Sequence, residues 1–162
     1  MTNGTNLFKK AIIGMEEINL TNKQNNKIIK LDYDKYIPIN KFLFRYKRLY
    51  YLLPFHINNL AIYKTKRGYH LELYIDKSLA DFEIVFFQLL FLSDYIRETI
   101  NLHRVKCKEK GWNVLFDEKL DKTTNKFHKR KYLANNSKYI LKQILNINKT
   151  KMEELKCKQK KK

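Results

Sequence analysis

The 162-residue chain has few cysteines, which cross-link small folds, and few prolines and glycines, which are typical of linkers between domains. Its two cysteines, Cys107 and Cys157, stand far apart and neither belongs to a Cys-x-x-Cys pair. This excludes a disulfide scaffold and a cysteine-rich zinc site, and it suits a reducing compartment. There are only two prolines and four glycines, and no stretch rich in either residue reads as a linker.

Long apolar runs are also scarce. The longest lies near residues 84–92, about half of what a bilayer-spanning helix requires. The first ten residues, MTNGTNLFKK, show no cleavable signal pattern. From these absences we expect an intracellular, cytoplasmic protein with no membrane partner.

Acidic side chains are a minority: 16 Asp and Glu stand against 34 Lys and Arg, giving a formal net charge of +18 at pH 7. Residues 1–118 carry 19 basic and 13 acidic side chains, whereas residues 119–162 carry 15 basic and 3 acidic ones. An excess of this size predicts a polyanionic partner, either nucleic acid or an anionic membrane surface. The helix predicted near residues 137–145 lacks the large aromatic face typical of interfacial helices, which favours nucleic acid.

Hydrophobic residues make up 44% of the chain, enough for a packed core, and their spacing predicts an α+β fold. Strand patterns cover residues 27–34, two segments flanking a turn at 66–68, and residues 112–116. Helical patterns cover residues 41–53, 79–92, 95–108 and 137–145, the last with Tyr139, Ile140 and Ile144 directed inward. The βαββαβ order predicts a ferredoxin-like, RRM-like antiparallel sheet with helices on one face and the other face open.

The charge distribution and these patterns divide the chain into three parts. We predict an N-terminal helical segment over residues 1–25, an RRM-like domain over residues 26–119, and a basic helical C-terminal extension over residues 120–162. The N-terminal segment contains a helical pattern at residues 6–19.

Strand alternation places four ionisable side chains on the open face. The apolar residues of the first strand pack under the helices, so Asp32 and Asp34 share the opposite face. By the same alternation His70 and Asp117 point to that surface. Three carboxylates repel one another unless a cation joins them, and Mg²⁺ or Mn²⁺ prefers oxygen ligands. The pattern therefore favours metal-assisted phosphoryl chemistry on nucleic acid, although Asp-x-Asp is equally typical of a turn or cap.

The same residues resemble the three short motifs of the archaeo-eukaryotic primases and primase-polymerases, which lie on an RRM-like palm domain. An apolar run ending in Asp-x-Asp is present at Ile28–Asp34. The small-x-His motif is present at Gly68-Tyr69-His70, and an apolar residue followed by Asp is present at Leu115-Phe116-Asp117. The resemblance covers residues 27–119 and extends to small proteins of archaeal plasmids and viruses.

This resemblance implies metal-dependent, template-directed nucleotidyl transfer in the DNA replication of a mobile element. Asp32, Asp34 and Asp117 would bind Mg²⁺ or Mn²⁺, and His70 would contact the incoming nucleotide. No Cys/His cluster follows the palm, so no zinc is expected.

Cations near these motifs are predicted to neutralise phosphates. Lys66 and Arg67 in the hairpin turn are assigned to the nucleotide. The predicted nucleic-acid-binding residues are Lys64, Lys126, Lys129, Arg130 and Lys131. Lysine outnumbers arginine by 28 to 6, and lysine contacts phosphates without planar base readout. Binding should therefore be weakly sequence-specific and salt-sensitive.

A second hypothesis is a non-catalytic, ferredoxin-like DNA- or RNA-binding protein of a virus or plasmid, which needs the lysines but not the carboxylates. A plain RRM is disfavoured because Leu71 stands where a stacking aromatic is expected. A rolling-circle initiator nuclease is disfavoured because the sequence has no His-x-His. The expected partners are a single strand or template–primer of DNA or RNA, together with nucleotides; the sequence identifies no protein partner.

Overall fold

The computed structural model describes residues 27–34, 39–115, 118–121, 124 and 126–159. The strands are β1 (Ile28–Asp34), β2 (Ile57–Lys64), β3 (Gly68–Ile75), β4 (Glu118–Asp121), β5 (Lys126–Lys129) and β6 (Lys131–Tyr132). The helices are α1 (Ile39–Leu49), continued by a 3₁₀ turn at Tyr50–Leu52, then α2 (Asp81–Leu90), α3 (Tyr95–Lys106) and α4 (Ala134–Gln159). The helix predicted at residues 6–19 lies outside the described residues.

The predicted α+β class is confirmed. An antiparallel sheet of four strands has the order β1-β3-β2-β6, and β4 pairs with β5 in a separate hairpin. Alternation along β1, β2 and β3 sends their apolar side chains to one face, as predicted. Those buried on that face are Ile29, Leu31, Tyr33, Ile57, Leu60, Ile62, Leu71, Leu73 and Ile75.

The hairpin between β2 and β3 forms where the sequence predicts it. The Thr65 N–H donates to the Gly68 carbonyl at 3.0 Å. In return, the Gly68 N–H donates to the Thr65 hydroxyl at 2.9 Å. This reciprocal pair closes the turn and fixes the register of β3, because it ties the last residue before the turn to the first residue of β3.

Helices cover the apolar face of the sheet and share its core, to which α1 contributes Phe42 and Tyr46, α2 contributes Ile84 and Val85, and α4 contributes Ile140 and Ile144. Polar contacts also join α4 to this core. The Ile62 N–H donates to the Ser137 hydroxyl at 3.0 Å, and the Tyr46 hydroxyl donates to the Asn148 side-chain oxygen at 2.6 Å.

The C-terminal region is thus packed into the same unit as the sheet, through β6 and α4. The prediction that Ile140 and Ile144 point inward is confirmed. For Tyr139 it is wrong, because that side chain is 61% exposed.

The outer edge of β1 differs from the prediction. Residues 112–115 are not a strand, and Phe116 lies outside the described residues. None of the described strands pairs with this edge of β1. The ferredoxin-like order requires such a strand, so the fold is established here only as α+β with a four-stranded antiparallel sheet.

Polar side chains, instead of a neighbouring strand, form hydrogen bonds with the outer edge of β1. The Lys30 carbonyl accepts from the Gln88 side-chain amide at 2.6 Å and from the Arg97 guanidinium at 3.2 Å. Both the Gln88 amide and the Arg97 guanidinium also donate to the Asn113 side-chain oxygen, at 3.0 and 2.8 Å. These contacts satisfy edge groups that a neighbouring strand would otherwise bind.

Within the described ranges, no helix combines the length and the apolar character needed to cross a bilayer.

Candidate active site on the open face of the sheet

Asp32 and His70, from the first two motifs, are direct cross-strand neighbours. They face each other in the β1–β3 register, and His70 Nε2 lies 3.4 Å from Asp32 Oδ1. The Asp32 side chain is 22% exposed and that of His70 is 11% exposed. The prediction that strand alternation brings these two side chains to one surface is confirmed.

His70 has one ring nitrogen directed at a carboxylate and one without a protein partner. Its Nδ1 is buried and forms no hydrogen bond within the described part of the chain. With Nε2 carrying the proton toward Asp32, the neutral ring leaves Nδ1 as an acceptor. Because Nδ1 is inaccessible to solvent, the part of the ring next to the candidate site is Nε2, beside the partly exposed Asp32 carboxylate.

Of the other two predicted metal ligands, the structure describes Asp34 by its backbone alone. The backbone of Asp34 pairs with Gly68, which places the exposed turn residues Lys66 and Arg67 next to this end of β1. Asp117 lies outside the described residues. Among the side chains that are described, no group of three or more His, Cys, Asp or Glu residues is arranged to hold a metal ion.

The backbone of Asp32 is held from the outer edge by the turn between α2 and α3. Its N–H donates to the Ser93 hydroxyl at 2.9 Å, and its carbonyl accepts from the Asp94 N–H at 2.8 Å. Leu92 enables this approach with a left-handed φ of 63°, which reverses the chain after α2. A non-glycine residue in that conformation costs roughly 1 kcal/mol, so the contacts to β1 must offset it.

Behind this turn lies a buried carboxylate that the sequence analysis did not identify. Glu98 is fully buried and accepts hydrogen bonds from the Ser93 hydroxyl at 2.7 Å and from the Asn101 amide at 2.9 Å. The Arg97 guanidinium pairs with the same carboxylate. Burial raises the pKa of Glu98, while the positive charge of Arg97 opposes that rise.

Arg97 belongs to this buried network, with a side chain that is 14% exposed. The one local sign of the arrangement is that α3 exposes Ile96 and Ile100 while it buries Glu98 and Asn101. The sequence alone does not show that the polar side of this helix is the buried one.

A second polar cluster lies on the open face beside His70. Glu72 pairs with Arg130 at 3.0 Å, and the Arg130 guanidinium lies 3.9 Å from the centre of the Tyr63 ring. The hydroxyl of Tyr74 donates to Glu72 at 3.4 Å. Arg130, predicted as a nucleic-acid-binding residue, is therefore engaged with the sheet and its side chain is 18% exposed.

The lysines assigned to nucleic acid are placed at the β2–β6 edge and on the β5 strand. Lys64 and Lys131 are opposite each other in the β2–β6 register, and both are exposed. Like charges in directly opposed positions destabilise a sheet pair, and an anion relieves that repulsion. Lys126 and Lys129, at the two ends of β5, are exposed as well.

No protein-family model matches the chain, and no curated protein or solved structure matches it either.

Proposed function

We propose that this protein is a metal-dependent nucleotidyltransferase of the primase-polymerase type, acting on a nucleic-acid template in the replication of a mobile element. The observation that carries the proposal is the Asp32–His70 pair, two residues from separate motifs that lie side by side on the open face. The β1-β3-β2 order agrees with the centre of an RRM-like palm, and that finer fold assignment is part of the proposal.

Asp32, Asp34 and Asp117 are the residues proposed to hold Mg²⁺ or Mn²⁺. The carboxylate of Asp32 fits such an ion because it supplies oxygen donors and remains partly exposed on the open face. When bound, a divalent cation would supply charge stabilisation for the attacking hydroxyl and the leaving pyrophosphate. The backbone contacts from Ser93 and Asp94 keep Asp32 in a fixed position for this role.

His70 and the hairpin turn are proposed to bind the nucleotide. The His70 imidazole, whose Nε2 lies 3.4 Å from Asp32 Oδ1, supplies a hydrogen-bonding group next to the metal-binding carboxylate. Lys66 and Arg67 lie at the Asp34 end of β1, where their charges would neutralise the triphosphate. Charge neutralisation and nucleotide positioning thus come from adjacent parts of the same hairpin.

A second candidate function is nucleic-acid binding without catalysis. The opposed pair Lys64–Lys131 favours it, because this cationic edge is built without any of the three carboxylates. In that case strand binding would be the whole activity, and Asp32 would serve only as a partner for His70.

The test is strand synthesis by the purified protein. Single-stranded template would be supplied with and without a primer, together with labelled nucleotides and either Mg²⁺ or Mn²⁺. We expect extended product that depends on the metal and disappears when a chelator is added. No product with either metal, alongside intact salt-sensitive binding, would favour the non-catalytic candidate.

A further inference from the structure

One row of side chains crosses the whole four-stranded sheet on its open side. In the strand registers Asp32 is opposite His70, His70 is opposite Tyr63, and Tyr63 is opposite Tyr132. The Tyr63 and Tyr132 rings lie 5.5 Å apart. Three strand spacings separate the ends of the row, about 14 Å in total. The row therefore joins the candidate active site to the β6 edge.

The segment that leads into β6 carries exposed aromatic side chains that lie outside the core. Tyr132 is 52% exposed and Phe127, on β5, is 66% exposed. Both belong to the segment KFHKRKY, residues 126–132, which contains four cations and no acidic residue. Neither ring belongs to the buried core of the described residues, and exposed aromatics interleaved with lysines are typical of surfaces that bind single strands.

Arg130 explains how this segment is fixed to the sheet. Its guanidinium pairs with Glu72 and stacks on Tyr63, and Leu133, after β6, donates from its N–H to the Ile62 carbonyl at 2.8 Å. The aromatic and cationic side chains on either side of Arg130 are thus presented from an anchored backbone, which reduces the entropy lost on binding.

We infer that residues 126–132 bind single-stranded nucleic acid, with Tyr132 and Phe127 stacking on unpaired bases and the lysines of this segment contacting phosphates. The bound strand would continue along the Tyr63–His70 row toward Asp32. Unpaired bases expose the ring faces that aromatic side chains need, whereas duplex bases stack on one another. The direction toward Asp32 rests on the proposed function, but strand binding itself is measured without synthesis.

The test measures the affinity of the intact protein for a fluorescent mixed-sequence single strand of about 20 nucleotides and for the corresponding duplex. Leucine replacements keep apolar bulk but remove the ring face, so the variants are Tyr132→Leu and Phe127→Leu. Matched controls are Tyr139→Leu and Phe44→Leu, because these rings are 61% and 60% exposed outside the segment. Circular dichroism and unfolding curves verify that each variant is folded.

We expect each segment variant to lose roughly 5- to 150-fold in single-strand affinity, with an unchanged dependence on salt. Tyr132→Phe should bind like the wild type. Lys131→Gln should instead reduce the slope of log affinity against log salt by about 0.7. Equal loss in the matched controls, equal affinity for the duplex, or no effect of either leucine variant would overturn the inference. The assay measures binding without synthesis. A protein that binds single strands in this way but synthesises no product would therefore contradict the proposed function and support this inference.

Discussion

We expect Asp32→Asn to lower the rate of strand synthesis by about 10³-fold or more, because several kcal/mol of charge stabilisation depend on the carboxylate. The amide retains the shape of the side chain, and the contacts that fix residue 32 come from its backbone. The fold should therefore persist. Nucleic-acid affinity should stay the same or rise slightly, since a charge that repels phosphate is removed.

The control for this prediction is Glu153→Gln, which removes one negative charge from an exposed position on α4. It should synthesise at the wild-type rate. Rates are compared at several Mn²⁺ concentrations, so that a weakened metal affinity is separated from a lost reaction. Retention of most of the activity by Asp32→Asn would show that this carboxylate has no catalytic role.

The second large effect concerns stability and comes from Arg97→Met. This variant leaves the fully buried Glu98 without its cation and removes the guanidinium from the Lys30 carbonyl. Breaking a buried pair on one side costs about 3–5 kcal/mol in the free energy of unfolding. Urea denaturation of the variant and the wild type under the same conditions measures the difference.

The matched control is Arg104→Met on the same helix. Arg104 pairs with Glu109 at 3.6 Å, but their side chains are 40% and 50% exposed, so its loss should cost no more than about 1 kcal/mol. Adding Glu98→Gln to Arg97→Met should recover part of the lost stability, because the unpaired charge is gone. Equal costs for the two arginines would mean that the Arg97–Glu98 pair is not a buried one in solution.

Glu98 also predicts a pH dependence. Burial raises its pKa in the folded protein above the ordinary value of 4.5, so the folded state holds the proton more tightly than the unfolded state. The resulting stability is fully present below pH 4.5 and is lost as pH rises through the raised value. The free energy of unfolding of the wild type minus that of Glu98→Gln should therefore fall as pH increases across this window.

Much of the open face could be predicted because strand alternation is a local property. Ile29, Leu31 and Tyr33 alternate with polar residues, so the side of the sheet on which Asp32 lies follows from residues 27–34 alone. Glycine and basic residues mark the hairpin that returns β3 beside β2. The adjacency of Asp32 and His70 then needed only the additional assumption that β3 pairs with β1.

The edge of β1 could not be predicted, because distant side chains decide it. Trp112 and Leu115 have the composition of a strand and are buried, but Gln88 and Arg97 occupy the hydrogen-bonding positions on the Lys30 carbonyl. The burial of Glu98 likewise depends on Ser93 and on the turn before α3. The spacing of residues along a helix does not indicate that a face with charged side chains is the face packed against the protein.

The contacts of Arg130 in the basic region also could not be predicted from the sequence. A run of cations predicts phosphate contact, and it does not distinguish a solvated side chain from one that pairs with a distant acid. The Glu72 partner lies on β3, across the sheet from the segment that follows β5. Only the tertiary structure shows that the Arg130 guanidinium pairs with Glu72.

The central claim, a divalent-metal site at Asp32 beside His70, is tested most directly by Mn²⁺ titration of ¹⁵N-labelled protein. Paramagnetic Mn²⁺ broadens the amide signals of nearby residues. We predict selective broadening around Asp32 and His70 in the wild type and in Glu153→Gln, and its loss in Asp32→Asn. Unchanged β1 and β3 signals, or equal broadening in Asp32→Asn, would contradict the assignment.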